Sequence, residues 1–229
     1  FMVRPTHHER NQPTTVHPEP AEGLVQNPLT LFFLALSFYT RLPAPKIQDY
    51  KQLPQASIYL PMVGWVVGGL TGSCFYLANL LWPQTTAVVL ALIVGILLTG
   101  AFHEDGFADV CDGFGGGYGK QRILEIMKDS QIGVYGALGL VVLMALKISL
   151  LSSLPASSIP FILLAGHSIS RFQPLLLMRI FDYARNGTSK GGAATYKPRP
   201  NELFFAGFFG IFRVLTISLN KNYILFYFF

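Results

Sequence analysis

The chain has 229 residues, of which 51% are hydrophobic and only 13% charged, and its mean hydropathy is +0.43. A soluble domain normally carries about 25% charged residues, and a disordered chain has low hydrophobicity, so both classes are excluded. The net charge of +5 indicates an anionic partner. Because the basic residues flank apolar runs, that partner is expected to be a membrane surface or an anionic substrate rather than nucleic acid.

The first 23 residues differ in composition from the rest of the chain. They are polar, contain several prolines and show no apolar periodicity, so we expect residues 1–23 to be a disordered tail. They lack the pattern of a cleaved signal peptide, so the tail is expected to stay on the mature protein. Residues 24–229 are predicted to form a single membrane-embedded domain. The two cysteines, Cys74 and Cys111, lie in unlike surroundings and are predicted to be unpaired.

Five apolar runs and a weaker sixth follow the tail. They cover residues 24–40, 58–82, 85–102, 134–154, 159–180 and 203–219. A helix needs roughly 20 residues to cross a hydrocarbon core of about 30 Å. The sequence therefore predicts an all-α, polytopic helical bundle with about five to six transmembrane helices.

Among the connections between these runs, only alternate ones carry lysine or arginine. The connections after the first, third and fifth runs are basic, whereas those near Pro83 and Pro155 carry no positive charge. By the positive-inside rule, the basic side is predicted to face the cytoplasm. In the second run Gly64, Gly68 and Gly72 share one helix face, which predicts close helix packing.

Six of the twelve acidic residues fall between positions 104 and 129, next to the third run. On a helix Asp105, Asp109 and Asp112 would lie within roughly 60° of one another. Three carboxylates on one face repel each other unless a cation lies between them, and oxygen ligands of this kind suit Mg²⁺. The pattern predicts a metal-assisted site, with a solvated acidic loop as the alternative. For Glu104 three roles remain open: a catalytic base, a residue that contacts the metal ligands, or a surface residue without a role in the site.

The segment GFGGGYG that follows is predicted to end the helix and to bring backbone N–H groups near an anion. A short amphipathic helix over residues 120–130 would then return Asp129 towards the other three aspartates as a fourth metal ligand.

Such a site suits phosphoryl transfer at a diphosphate, because metal ions neutralise the charge that develops on phosphate oxygens. The basic residues predicted to bind the phosphates are Lys120, Arg122, Lys128, Arg171 and Arg185. His103 is a candidate for removing a proton from an attacking hydroxyl, with a role at the membrane interface as its alternative. For Arg185 the alternative is snorkelling to the surface.

Polar side chains also interrupt the fifth run, just before Pro174. They are His167, Ser168, Ser170, Arg171 and Gln173. Polar groups within a span normally face the bundle interior. Both a patch that contacts substrate and an interhelical network around a proline kink remain open.

At these residues the sequence resembles the cobalamin synthases, that is the adenosylcobinamide-GDP ribazoletransferases. The resemblance rests on FYTRLPAP from Phe38, HEDGFADVCDGFGGG from His103, LEIMKDSQIGVYG from Leu124 and the pair Ser170 and Arg171, and it covers roughly residues 28–205. From about residue 206 the family's later acidic segment has no match, so the C-terminal end is predicted to be divergent or incomplete.

The resemblance implies a multi-pass enzyme of the bacterial inner membrane. It implies that Mg²⁺ is required, that adenosylcobinamide-GDP and α-ribazole or its 5′-phosphate are joined with release of GMP, and that Asp105, Asp109, Asp112 and Asp129 are the motif aspartates. Whether the chain forms a homo-oligomer stays open.

Two other functions are weighed against this one. A CDP-alcohol phosphotransferase would need the pattern D-G-x-x-A-R, but here Gly106 is followed by Phe107, Ala108 and Asp109, with no arginine in place. A cation transporter would need acidic groups within spans and an internal repeat, whereas these acidic groups follow the end of a run.

Overall fold

The structure, a computed structural model, describes residues 27–45, 50–182 and 196–218. The predicted tail over residues 1–23, Arg185 and the last residues of the chain lie outside these ranges. Within them the regular structure is entirely helical, which confirms the all-α prediction.

The helices follow one another with short connections. The α-helices of the described residues are α1 (Pro28–Tyr39), α2 (Leu53–Ala56), α3 (Leu60–Asn79), α4 (Gln84–Thr99), α5 (Phe102–Gly116), α6 (Lys120–Ile126), α7 (Val134–Ser152), α8 (Ile159–Ile180) and α9 (Pro200–Ser218). Short 3₁₀ turns precede α2, α3 and α8.

Fewer helices can span a membrane than the sequence predicts. In the described ranges three stretches are long and apolar enough, namely Leu53–Asn79, Val134–Ser152 and Ala156–Ile180. A fourth is added if α4 and α5, which are bent by 90° at their junction, count as one broken span. The described ranges thus contain three or four such stretches where the sequence predicts five to six in the whole chain, and the prediction of an all-α membrane protein is confirmed.

The first apolar run falls short because its helix starts late and stops early. Asn27 accepts a hydrogen bond from the Leu29 N–H and Pro28 occupies the first helical position, so α1 begins there. Thr40 is extended and ends α1 after 12 residues. At 1.5 Å per residue the helix is about 18 Å long, well short of the roughly 30 Å hydrocarbon core.

The centre of the bundle is the contact between α3 and α8. Gly64, Gly68 and Gly72 face the backbone of α8 so closely that a Cβ on Gly68 would lie 2.7 Å from the Leu164 Cα. Their predicted role in helix packing is confirmed. Around this contact Val63, Phe75 and Ile159 are completely or almost completely buried.

A sharp turn separates α4 from α5 and redirects the chain. Gly100 and Ala101 both have positive φ angles, of 65° and 60°, and for alanine this left-handed conformation is unfavourable by roughly 1–2 kcal/mol. The Arg41 N–H donates to the Leu98 carbonyl, and its side chain covers Gly100. The motif FYTRLPAP thus supports the turn from which α5 starts.

The glycine-rich segment does not end α5 where the sequence predicts. The helix continues through Gly116, because Gly113 packs against the side chains of Met127 and Ile123 and Gly115 packs against the Tyr135 ring. The Gly117 N–H donates to the Gly113 carbonyl and is therefore not turned towards an anion. Close packing with α6 and α7 explains these glycines better than anion binding does.

Candidate active site

The acidic face of α5 lines an open pocket of about 170 Å³. Four of its acidic side chains border the pocket: Glu104, Asp105, Asp109 and Asp112. Residues 130–132, in the loop before α7, form another wall of the pocket. The prediction that the three aspartates share one helix face is confirmed, and that face looks into a concave site.

Asp112 also holds α7 in place. Its two carboxylate oxygens accept hydrogen bonds from the Gly133 N–H, at 2.7 Å, and from the Gly136 N–H, at 2.8 Å. These amides belong to the start of α7, where unpaired N–H groups and the helix dipole favour a negative charge. A Cβ on either glycine would collide with the carboxylate. The I-G-x-x-G motif is therefore what allows Asp112 to reach the helix end.

Asp129 does not join the other aspartates. It follows α6, is exposed, and accepts a hydrogen bond from the Gln131 N–H at 3.1 Å, so that it shapes its own turn. Across the described ranges, no three His, Cys, Asp or Glu side chains are placed to hold a metal ion. The structure thus does not gather the four aspartates of the predicted metal site into one ligand set.

The predicted phosphate-binding residues are spread over two regions. Lys120, Arg122 and Lys128 are exposed on or just after α6, and Arg122 lies 3.4 Å from Glu125. None of the three borders the pocket. Arg171 lies elsewhere, within α8, with 2% of its surface exposed.

The polar residues of α8 serve two purposes. Ser168 donates to backbone carbonyls of other helices, those of Pro61 and Phe209, and so belongs to an interhelical network. Arg171 turns back along its own helix, where its Nη1 donates to the His167 carbonyl at 2.9 Å and lies 3.0 Å from His167 Nδ1. Pro174 leaves α8 continuous.

One charged residue of this region is absent from the sequence-based set of candidates. Lys147, on α7, points its Nζ towards Glu104 Oε1 at 4.0 Å. A lone lysine inside an apolar run is the signal that could have identified it, because a charge in a span normally faces a partner. His103 precedes Glu104 in the first turn of α5 and is exposed.

Comparison with known proteins identifies the family. Residues 31–229 match the family described as cobalamin-5-phosphate synthase. The chain belongs to this family. Proteins named adenosylcobinamide-GDP ribazoletransferase are among its relatives: that of Shewanella frigidimarina is 41% identical over 86% of this chain and 78% of its own length. Those of Leptospira interrogans and Shewanella amazonensis are 42% and 49% identical, over 79% and 62% of this chain and 71% and 57% of their own lengths.

No solved structure matches the chain. Membership of the cobalamin-5-phosphate synthase family confirms the resemblance and the prediction of a transferase that joins parts of the nucleotide loop in cobalamin biosynthesis. The match runs through residue 229, whereas the motifs supported the resemblance only to about residue 205. Neither the CDP-alcohol phosphotransferase nor the cation transporter gains support from these comparisons.

Proposed function

We propose that the chain transfers the adenosylcobinamide phosphate of adenosylcobinamide-GDP to α-ribazole or its 5′-phosphate, with release of GMP. The observation that carries the proposal is the pocket on α5, in which four acidic side chains border one cavity in a member of the cobalamin-5-phosphate synthase family. The relatives named above carry this substrate and this transfer in their name.

The pocket suits Mg²⁺ even though no set of three ligands is preformed. Protein sites for Mg²⁺ commonly supply one or two carboxylates and leave the other positions to substrate phosphates and water. Asp105 and Asp109 line the pocket on one face of α5 and are the residues that would hold the ion, whereas Asp112 anchors α7. When bound, Mg²⁺ would neutralise charge on the diphosphate oxygens.

The protein's own residues supply position and charge around the diphosphate. The exposed cations on and just after α6, Lys120, Arg122 and Lys128, would attract the anionic substrate to this side of the bundle. Asp112 fixes α7 against α5 and so keeps the loop over residues 130–132 at the pocket. Arg185 stays a candidate for the same role as the α6 cations.

The reaction can be tested with the purified chain in lipid nanodiscs. We expect GMP release only when both organic substrates and Mg²⁺ are present, and at least a hundredfold lower kcat for Asp109→Asn. Isothermal titration should show GMP binding more tightly with Mg²⁺ present, which a cation transporter would not do. GMP release that ignores the ribazole would contradict the proposal.

The site is further proposed to face the cytoplasm at the bacterial inner membrane. Support comes from the basic residues of α6, a helix that packs against α5, and from the uncharged connection between α7 and α8. In a variant with Cys74 and Cys111 replaced by serine, Lys120→Cys should react with an impermeant maleimide only in inverted vesicles. Ser153→Cys, at the end of α7, should react only in intact cells, and the reverse pattern would overturn this orientation.

A further inference from the structure

The loop before α7 borders the acidic pocket without adding charge to it. It consists of Ser130, Gln131 and Ile132, all three exposed, and we call it the pocket loop. Ser130 and Gln131 are the two uncharged polar residues that line the pocket, whose other lining residues are acidic or apolar. A ligand in this cavity therefore meets carboxylates from α5 and neutral hydrogen-bonding groups from the pocket loop.

A diphosphate in the pocket needs hydrogen-bond donors that α5 does not supply. Ionised phosphate and carboxylate oxygens both only accept hydrogen bonds, and their charges repel each other. The acidic face can therefore hold a diphosphate only through a cation, which leaves part of the phosphate oxygens open. The cations predicted for this role, Lys120, Arg122 and Lys128, do not border the pocket, whereas Ser130 and Gln131 do.

The pocket loop offers more donors than the protein uses. The Ser130 hydroxyl and the Gln131 carboxamide can each donate. In the part of the chain that the structure describes, Ser130 and Ile132 form no hydrogen bond, so their backbone N–H groups are also open to a ligand. Backbone N–H groups of a turn, together with neutral side-chain donors, are a common means of binding an anion.

A carboxylate holds each end of the pocket loop. The Gln131 N–H donates to Asp129 Oδ1 at 3.1 Å, and the Gly133 N–H donates to Asp112 Oδ2 at 2.7 Å. A loop that is held before the ligand arrives loses less conformational freedom on binding. Asp129 thus acts on the pocket through the shape of the loop rather than as a fourth metal ligand.

We propose that the pocket loop binds the diphosphate of adenosylcobinamide-GDP, an inference that rests on the proposed function. Ser130 and Gln131 donate to the phosphate oxygens that the metal ion leaves open, while Asp105 and Asp109 act through the ion. Asp129 is a positioning residue, because it touches the loop and not the substrate. Variants of the loop should therefore weaken binding of the diphosphate substrate and leave binding of the ribazole unchanged.

The decisive variant replaces both side-chain donors, as Ser130→Ala with Gln131→Ala. Both residues are exposed, so the fold should be kept. With the full chain in nanodiscs, we expect the KM for adenosylcobinamide-GDP to rise about tenfold or more. The KM for ribazole and the Mg²⁺ concentration for half-maximal GMP release should stay within about twofold of the unaltered chain, because neither depends on the loop.

Gln121→Ala is the matched control. Gln121 is an exposed glutamine on α6 that bonds to Glu125 and does not border the pocket. It should leave all three quantities within about twofold of the unaltered chain.

Titration with inorganic pyrophosphate and Mg²⁺ tests the same contact without turnover. The double variant should bind pyrophosphate about tenfold more weakly than the unaltered chain or Gln121→Ala, because pyrophosphate keeps the two phosphates and lacks the base. If binding of GDP weakens while binding of pyrophosphate does not, the loop contacts the base, and the proposal is overturned.

Two variants test the positioning role of Asp129. Asp129→Ala removes the acceptor for the Gln131 N–H, so the KM for adenosylcobinamide-GDP should rise about fivefold. Asp129→Asn keeps an acceptor oxygen and should restore the KM to within about twofold. If Asp129→Asn instead raises the Mg²⁺ requirement as much as Asp129→Ala does, Asp129 is a metal ligand and its positioning role is overturned.

Two further results would overturn the proposal. One is a double variant that keeps both its KM for adenosylcobinamide-GDP and its affinity for pyrophosphate. The other is a double variant in which the KM for ribazole rises instead, because the loop would then serve the second substrate. An unaltered chain that binds pyrophosphate with Mg²⁺ but makes no GMP from the two substrates contradicts the proposed function, so the two failures can be told apart.

Discussion

Two helix pairs in this protein use glycine in different ways. In the α3–α8 pair, glycines face the backbone of the neighbouring helix, and 56% of the apolar stretch that contains α3 is buried. In the α5–α7 pair, Gly133 and Gly136 face the Asp112 carboxylate, and only 6% of α7 is buried. The first pair brings backbone against backbone, whereas the second combines the hydrogen bonds of Asp112 with side-chain packing such as that of the Tyr135 ring on Gly115.

The rigid contact of the bundle and the contact beside the acidic pocket are therefore built differently. A backbone packed on a backbone cannot shift to admit an added atom, so the α3–α8 contact fixes the bundle. A carboxylate packed on glycine amides can respond to a ligand, because charge-assisted hydrogen bonds are directional and few. The acidic pocket lies at the second kind of contact.

The largest effect is expected when a side chain is forced into the packed pair. Gly68→Val would place its Cβ against the backbone of Leu163 and Leu164, and we expect the free energy of unfolding to fall by about 3 kcal/mol. Thermal unfolding in detergent measures the change. Gly69→Val is the matched control, because a Cβ there meets no atom within 4 Å. Equal melting temperatures for the two variants would show that the contact is not tight.

A double-mutant cycle measures the contact between Asp112 of α5 and Gly133 at the start of α7. Gly133→Ala alone should cost about 2 kcal/mol, because the three atoms nearest the new Cβ all belong to the Asp112 carboxylate and are too close to it. In an Asp112→Ala background the same change should cost much less, which gives a coupling energy of about 1 kcal/mol or more. Gly166→Ala, whose Cβ would meet open space, is the control. Strictly additive effects would contradict the contact.

A finer comparison lies within the acidic face itself. Asp112→Asn should lower the free energy of unfolding by about 1.5 kcal/mol, since the amide that replaces one oxygen cannot accept a hydrogen bond from α7. Asp105→Asn, on the exposed side of the same face, should leave stability within about 0.5 kcal/mol but raise the Mg²⁺ concentration needed for GMP release. Measuring both quantities on both variants separates anchoring from metal binding.

The aspartate face was predictable because it depends only on helical periodicity. The all-α class and the glycine face of α3 followed from local patterns in the same way. The number of spans did not, because the stop at Thr40 and the turn at Ala101 depend on caps and on a contact with Arg41. The glycines after Asp112 were predicted to end α5 and to approach an anion. They instead pack against side chains of α6 and α7, which are distant in the sequence.

The charged residues between the helices were only partly predictable from the sequence for a related reason. Arg171 was recognised as a polar residue within a span, but its relation to Glu104 and Lys147 arises where three helices meet. Those residues are more than 20 positions apart in sequence, so no periodicity connects them. A lone lysine in an apolar run indicates a charged partner, but the sequence alone does not show that the partner of Lys147 is Glu104.

At the start of α9 a carboxylate again accepts hydrogen bonds, as Asp112 does at the start of α7, but its donors are close to it in the sequence. Glu202 accepts a hydrogen bond from the Arg199 N–H at 2.6 Å and from the Tyr196 hydroxyl at 2.9 Å, but within its own turn. Because only a local turn is held, Tyr196→Phe should lower the free energy of unfolding by about 1 kcal/mol, less than the variants at Asp112.

The contribution of the hydrogen bond between Tyr196 and Glu202 to stability depends on pH. Burial, followed by the hydrogen bond to Glu202, raises the pKa of Tyr196 from 10.0 to about 12. A raised pKa means that the folded state favours the protonated hydroxyl, so the contribution is complete below pH 10 and is lost as the pH rises towards 12. The stability difference between the unaltered chain and Tyr196→Phe should therefore be constant from pH 8 to 10 and shrink above it. A difference that grows above pH 10 would mean that the hydroxyl does not donate to Glu202.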